Sequence, residues 1–405
     1  MPKMSKLLAN IKTSAIRRTA AWLALAKDKK EIISFGGGAP SLPPPSELVQ
    51  KLREALNDQW KPFAYGGTRG TPELREAIVR DLYKYGKVRL DGPDNIIVTH
   101  GGTEGIFAGL GAILDPGDEV ILADPTYLGY PEVLKIMNAR AVTLPVSVDE
   151  GFQPKVETLK KKITKRTKAF VLLSPDNPTG RVIRPEIAKA IVDLACDHDF
   201  WIVCDDAYKH TIFEGSHTWA STLPGAEDRT LTICSFSKEA SIPGLRLGYS
   251  YGSTEIIDAM EKYAQYLSLC PESLAQIAVT GYLADPKAKD RYLTEEVIPT
   301  YKQRCDAMGM FIEKYLPEAR TSKPQGAFYY FVDFGSYLSE AGLNEEEFVD
   351  ELRLKKSVIV IPGRVFGENG KNHVRMTFVS ETDKRIEEGI KRISSFLKEK
   401  SDQKS

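Results

Sequence analysis

The sequence has little sulfur, no excess of either charge, and no long apolar run. Its five cysteines (Cys196, Cys204, Cys234, Cys270, Cys305) are odd in number, scattered, and mostly set in apolar stretches. That pattern excludes a disulfide framework and a clustered zinc motif, and it fits reduced thiols in a cytosol. Lys plus Arg and Asp plus Glu both number 55, a formal net charge of zero. The whole-molecule field therefore attracts neither nucleic acid nor an anionic membrane. No stretch approaches the roughly 20 apolar residues of a membrane span. The expected partners are small molecules, and the expected location is the cytoplasm. The N-terminus, "MPKMSKLLANIKTSAIRRTAAWLALAKDKK", is basic, amphipathic and free of acid until Asp28. It loosely imitates a mitochondrial transit peptide; the reading adopted is an ordinary helix lying on the fold.

What is present is a chain of 405 residues, 42% hydrophobic, enough for one large or two medium domains. After a Gly/Pro-rich segment, "SFGGGAPSLPPPSELV", short apolar runs at 96–99, 119–123, 141–146, 169–173, 201–204, 230–234 and 247–251 alternate with stretches of helical spacing such as "PEIAKAIVDLACDHD". Runs this short and rich in Val, Ile and Leu predict strands buried on both faces. Their alternation with helices predicts an α/β fold, with a mostly parallel seven-stranded sheet wrapped by helices. From 273 to 316 the pattern turns helical. It is followed by strand-like "GAFYYFVDF", "VIVIPG" and "HVRMTFV" and an amphipathic "DKRIEEGIKRISSFLKEK". These predict a second, smaller α+β domain. The expected division is a segment 1–45 packing with the small domain, a large domain 46–285, and a small domain 286–405. The polar C-terminus, "EKSDQKS", is expected to be disordered.

In a parallel sheet, ligands gather at the carboxyl ends of the strands. The run ending at Thr99 passes into "HGGTEG", where backbone N–H groups opening a helix make an anion site. The run ending at Leu173 delivers "SPDNPTG", the one ending at Cys204 delivers "DDAYKH", and the one ending at Cys234 delivers "SFSK". Each motif alone has a plain structural reading: a turn, a helix cap, a solvated lysine. Together they bring an anion cradle, an amide, a carboxylate, a phenol and a lysine to one sheet edge.

Those motifs, with "ISFGGGAP", "YGGTRGTPELREAI", "LDPGDEVILADPTYLGY", "SFSKEASIPGLRLGY", "KPQGAFYYF" and "VIPGRVFGENGKNHVRMTFV" in the same order, resemble the class I/II pyridoxal-phosphate-dependent aminotransferases of fold type I. The resemblance covers nearly the whole chain and implies pyridoxal 5'-phosphate as cofactor and no metal. It implies that Lys238 forms the Schiff base and shuttles the substrate α-proton, a task for which an ordinary lysine, with a pKa near 10.4, needs tuning. Asp205 is implied to hold the pyridine nitrogen protonated so that the ring accepts electrons. Asn177 and Tyr208 are implied to bond the cofactor's phenolic oxygen, and Tyr127 to stack on the ring. The phosphate falls to backbone donors at Gly102, Thr103 and Glu104, the hydroxyls of Ser235 and Ser237, and the Arg246 guanidinium. Arg375, with Asn177 and a backbone donor at Gly38, is implied to clamp the substrate α-carboxylate; Gly36 and Gly37 leave the glycine register open. Tyr65 resembles a tyrosine that reaches the phosphate of a neighbouring subunit, which implies a homodimer with shared sites.

The activity implied is transfer of an amino group from an L-amino acid to a 2-oxo acid, 2-oxoglutarate foremost, in two half-reactions, with aspartate or aromatic donors. A β-lyase or decarboxylase of the same fold, or a non-catalytic cofactor-binding regulator, stays open. Glu104 stands where some relatives carry a lysine for a distal carboxylate, and an inward Glu104 would repel aspartate. Arg364, Arg18 and Arg69 are the alternative readers of such a carboxylate.

Overall fold

The computed structural model describes residues 5–9, 11, 13–19 and 31–404. The helix expected over the first thirty residues lies largely outside them; within them, Lys6–Ala9 is helical.

The strands that position the site are β1 (Ile33–Ser34), β2 (Ile96–Thr99), β3 (Glu119–Asp124), β4 (Arg140–Pro145), β5 (Thr167–Leu173), β6 (Trp201–Asp205), β7 (Thr230–Ser235), β8 (Gly248–Tyr251), β9 (Tyr329–Asp333), β10 (Val358–Ile359), β11 (Ile361–Pro362) and β12 (His373–Thr377). The helices that matter are α1 (Ser46–Ala55), α2 (Pro72–Gly86), α3 (Gly101–Ile113), α4 (Pro185–His198), α5 (Phe236–Glu239), α6 (Thr254–Leu267), α7 (Ser273–Leu283), α8 (Pro286–Arg291), α9 (Ile298–Tyr315) and α10 (Asp383–Lys404).

Seven strands form one sheet in the order β2-β8-β7-β6-β5-β3-β4. Strands β7, β6, β5, β3 and β4 run parallel, while β8 is antiparallel to both neighbours. Alternation of side chains explains why these runs are apolar throughout. In β5, Val171 packs with Val203 and Leu231 on one face, and Phe170 and Leu172 pack with Ile202 and the helix α4 residues Ile191 and Val192 on the other. The antiparallel β8 starts where its neighbours end: Gly248 pairs with both Thr99 and Ser235. The residue two before it, Arg246, is thereby brought to the carboxyl edge.

A second core joins β9 and β12 to α9 and α10, with Tyr301, Met308, Phe328, Val332, Val374, Ile386, Ile390 and Phe396 all buried. Its small sheet has the order β11-β12-β9, and β1 pairs in parallel with β10. The helical stretch after residue 285 runs through a π-helical segment, Tyr292–Val297, into α9. One expectation fails. Helix α10 continues through "EKSDQK" to Lys404 instead of ending in disorder, because Glu399 is held by Lys356 at 2.5 Å and by Ser395 at 2.8 Å, while Lys400 reaches Glu351 at 2.7 Å. Among the described residues, no helix is long and apolar enough to cross a membrane.

Candidate active site

Between the carboxyl edge of the large sheet and the small sheet lies a cavity of about 430 Å³. Gly38, Gly102, Thr103, Tyr127, Asn177, Asp205, Tyr208, Ser235, Ser237, Lys238, Arg246 and Arg375 all line it. Stretches distant in sequence thus meet there, among them the strand-end motifs that follow β2, β5, β6 and β7.

One end of the cavity is built for an anion. Helix α3 opens with Gly101 at φ +69, and a Cβ there would lie 2.6 Å from Arg246 Nη2. Only glycine lets the guanidinium approach the helix N-terminus so closely. Arg246 is held by donating to Pro243 O at 3.0 Å and to His100 O at 3.4 Å. A Cβ on Gly102 would make ordinary contact with Ser235 Cβ at 3.6 Å and Ile233 Cγ2 at 3.8 Å, so this turn packs against the end of β7 where it lines the cavity. Ser235 Oγ accepts from Ser237 N at 3.3 Å, and both serines line the cavity. N–H groups, two hydroxyls and a guanidinium match a phosphate dianion.

At the centre, Lys238 Nζ donates to Gly38 O and lies 5.8 Å from the ring centres of both Tyr208 and Phe328. Burial, then the positive charges of Arg375 and Arg246, brings its pKa down to about 8. Facing it, Asp205 accepts from Tyr130 Oη at 2.9 Å and from Ala207 N at 3.2 Å. Burial pushes its carboxyl up to about 6 against those two bonds. A carboxylate that hard to ionise in a buried site calls for a cationic partner. Tyr208 shares a 2.7 Å hydrogen bond with Tyr329 Oη.

At the other end, Arg375 is fully buried. Nη1 donates to Asn177 Oδ1 at 3.1 Å and Nη2 to Gly36 O at 2.8 Å, and the guanidinium lies 4.3 Å from the Tyr329 ring centre. Among the described residues its Nε has no hydrogen-bond partner. Among the described residues no carboxylate pairs with it. A guanidinium stays protonated even when buried, so this end is also poised for an anion. Gly36 supplies the carbonyl here, while Gly38 must be glycine for another reason: a Cβ would sit 2.4 Å from Tyr329 Oη.

Two expected residues are not on the wall. Tyr65 is 87% exposed on the surface of the chain. Glu104 turns its carboxylate away, accepting from His100 N at 2.5 Å and from Ser268 Oγ. The inward charge that argued against aspartate is therefore not there. The candidate readers of a distal carboxylate are also engaged elsewhere. Arg364 donates to Glu345 at 2.7 Å and Glu368 at 2.9 Å; Arg69 pairs with Glu261 at 2.7 Å and with Asp258; Arg18 lines a separate cavity beside Glu346 and Asp350. The residue before it, Arg17, lines the active cavity instead. Sequence reasoning missed Arg17, Tyr130 and Tyr329. Tyr130 had a signal, lying one helical turn beyond Tyr127; the other two had none.

Comparison with known proteins agrees with this chemistry. Residues 30–393 match the family model for aminotransferase class I and II. The aspartate aminotransferase of Pyrococcus abyssi is 32% identical over 98% of this chain and 99% of its own length. The aromatic-amino-acid aminotransferase 2 of Thermococcus litoralis is 29% identical over 98% and 99%. The solved structure of aspartate aminotransferase from Thermus thermophilus with maleate superposes with a TM-score of 0.90 at 30% identity, covering 98% of this chain and 100% of that one. The sheet order and the second α+β layer are those of fold type I. The chain belongs to the class I and II aminotransferases: it is a pyridoxal-phosphate-dependent transaminase, acting on an amino acid and a 2-oxo acid.

Proposed function

We propose that this transaminase moves the amino group of L-aspartate to 2-oxoglutarate in two half-reactions at one site, with glutamate as the amino donor of the reverse direction. The observation that carries the reading is a charge count on the cavity wall. Among the described residues, four cationic side chains, Arg17, Lys238, Arg246 and Arg375, share the cavity wall with one carboxylate, Asp205. The phosphate takes Arg246 and the substrate α-carboxylate takes Arg375. Asp205 takes the ring nitrogen and Lys238 the aldehyde, which leaves Arg17 for a second substrate carboxylate. Ile16 and Leu128 beside it offer apolar contact, so phenylalanine is the second-ranked donor.

When bound, pyridoxal phosphate supplies an aldehyde that takes the amine and a ring that accepts electrons. The chain's own residues do the rest. Gly102, Thr103 and Glu104 N–H groups, Ser235, Ser237 and Arg246 hold the phosphate. Asp205, ionised against burial, keeps a proton on the ring nitrogen. Tyr127 covers one ring face. Tyr208 Oη and the Asn177 amide nitrogen, whose oxygen is bonded to Arg375, would donate to the phenolic oxygen. Arg375 would hold the α-carboxylate so that the Cα–H bond, and not the bond to the carboxylate, is the one presented for cleavage. With a pKa near 8, Lys238 Nζ accepts that proton and returns it to a neighbouring carbon. Decarboxylation is disfavoured because the α-carboxylate is held by a guanidinium.

The working unit is proposed to be a homodimer in which Tyr65 of each copy reaches the phosphate in the other. Supporting this, Tyr65 stands with Trp60 and Phe63 as a run of aromatics 87%, 78% and 70% exposed, which a second copy would cover. The test of the substrate reading is a panel of amino donors on wild type and Arg17→Met. Loss of one charged hydrogen-bond pair should lower kcat/KM for aspartate and glutamate roughly 10- to 100-fold, leaving alanine close to wild type. An equal fall for every donor removes Arg17 from substrate recognition.

A further inference from the structure

Behind the cavity wall lies a buried ionic cluster that the chemistry above does not use. Glu239, the residue after Lys238, receives two ammonium groups: Lys209 on Oε2, and Lys289 on Oε1 at 3.0 Å. Lys209 is the residue after Tyr208. Lys289, from α8, also bonds both oxygens of Asp81 on α2, at 2.8 and 2.7 Å. The four side chains are between 2% and 9% exposed. With His210 kept uncharged by burial, the cluster carries two positive and two negative charges and is neutral as a whole. The Asp81, His210 and Glu239 donor atoms lie within 4.8 Å of one another, the spacing of a cation site. That position is already filled, since the Lys289 ammonium sits between the two carboxylates.

We propose that the Lys209–Glu239 pair is a latch that fixes Lys238 relative to Tyr208 and Asp205, making Lys209 and Glu239 positioning residues for proton transfer. Helix α5, which carries Lys238, is a single four-residue turn. A turn that short has no helical stability of its own, so the direction of the Lys238 side chain depends on what holds its neighbours. Glu239 is the one charged neighbour in that turn, and it is anchored at both carboxylate oxygens. One anchor, Lys209, belongs to the loop that follows Asp205 at the end of β6 and carries Tyr208; the other reaches through Lys289 to α2. Buried ion pairs of this kind add little stability over apolar side chains of the same volume. What they add is a defined geometry: each ammonium must meet its oxygen or stay buried with its charge uncompensated. The latch acts through position and not through charge on the amine, because Lys238 is tuned by burial and by Arg375 and Arg246.

The inference rests on Lys238 and Tyr208 being reacting-centre residues; a Lys238→Ala protein that still turns over refutes that reading and not the latch. The latch is tested on the cofactor-loaded protein with Lys209→Met, Glu239→Gln and Asp81→Asn, measuring Tm, kcat, KM and the circular dichroism induced in the bound cofactor's visible band. A displacement of the amine by about 1 Å lowers kcat roughly 100-fold. The expected result is such a fall, with KM little changed and the induced dichroism altered, for Lys209→Met and Glu239→Gln. Asp81→Asn, which leaves Glu239 on both lysines, should lower Tm while keeping kcat and the dichroism close to wild type. Where Lys209→Met does not fold, the isosteric Glu239→Gln is read alone. A Glu239→Gln protein with lowered Tm but unchanged kcat and dichroism overturns the latch, as does an Asp81→Asn protein that loses kcat in step with the other two.

Discussion

Replacing Arg375 by Met separates function from folding, because the two effects should differ in kind. The guanidinium makes two hydrogen bonds in the chain, to Asn177 and Gly36, and leaves Nε without a partner. On binding substrate it is expected to hold the α-carboxylate through two charged hydrogen bonds, each contributing about 1.5–3 kcal/mol. Their joint loss, about 3–6 kcal/mol, lowers kcat/KM roughly 150- to 25,000-fold at about 1.36 kcal/mol per decade. Stability should behave differently. Arg375 is buried without a carboxylate, so its removal also relieves an uncompensated charge. The stability of the cofactor-free protein should change by no more than about 1 kcal/mol in either direction. Steady-state kinetics with two donors and urea unfolding of the cofactor-free protein measure both. Unchanged kcat/KM refutes the carboxylate clamp. A stability loss above about 3 kcal/mol identifies Arg375 as a structural pillar instead.

Lys238→Ala should fold, bind cofactor weakly, and lack both the visible band and turnover; retained turnover contradicts its role. In the cofactor-free protein, the pKa near 8 means that protonating Lys238 opposes folding. Lys238→Met should therefore be more stable than wild type below pH 8, by on the order of 3 kcal/mol, with the gain vanishing as pH rises toward the unfolded value near 10.4. Denaturant titrations at pH 7 and 10 check the sign. Asp205 in the cofactor-free protein is protonated below about pH 6, so cofactor affinity should fall as pH drops through that value, and Asp205→Asn should abolish the step along with most of the affinity. Gly101→Ala places a Cβ 2.6 Å from Arg246 Nη2 at a positive φ, and cofactor release should quicken markedly, as followed by spectrophotometry after dilution.

Much of the architecture was legible because the chemistry of burial is written in runs. The seven apolar stretches became the seven strands, with ends shifted by one or two residues. The residues after Thr99, Leu173, Cys204 and Cys234 face one cavity because parallel strands share an edge. The misreadings came from side-chain direction and pairing, which no spacing encodes. Glu104 was placed near the substrate by its number, yet near a helix start its carboxylate folds back onto His100 N. Arg364 was open to two readings, a distal-carboxylate reader or a salt bridge, and it is the second: it answers Glu345, which is 1% exposed. The polarity of "EKSDQKS" suggested disorder, whereas ion pairs across to Lys356 and Glu351 extend α10. Arg17 could not be preferred over Arg18 without knowing which side of the N-terminal segment faces the cavity.

The most direct test of the central claim is a single-turnover half-reaction. L-glutamate added to the cofactor-loaded protein without any oxo acid should bleach the visible band, release one equivalent of 2-oxoglutarate per site and stop; adding a 2-oxo acid should restore the band. Continuous release of ammonia, pyruvate or carbon dioxide from the amino acid alone would contradict transamination as the reaction of this site.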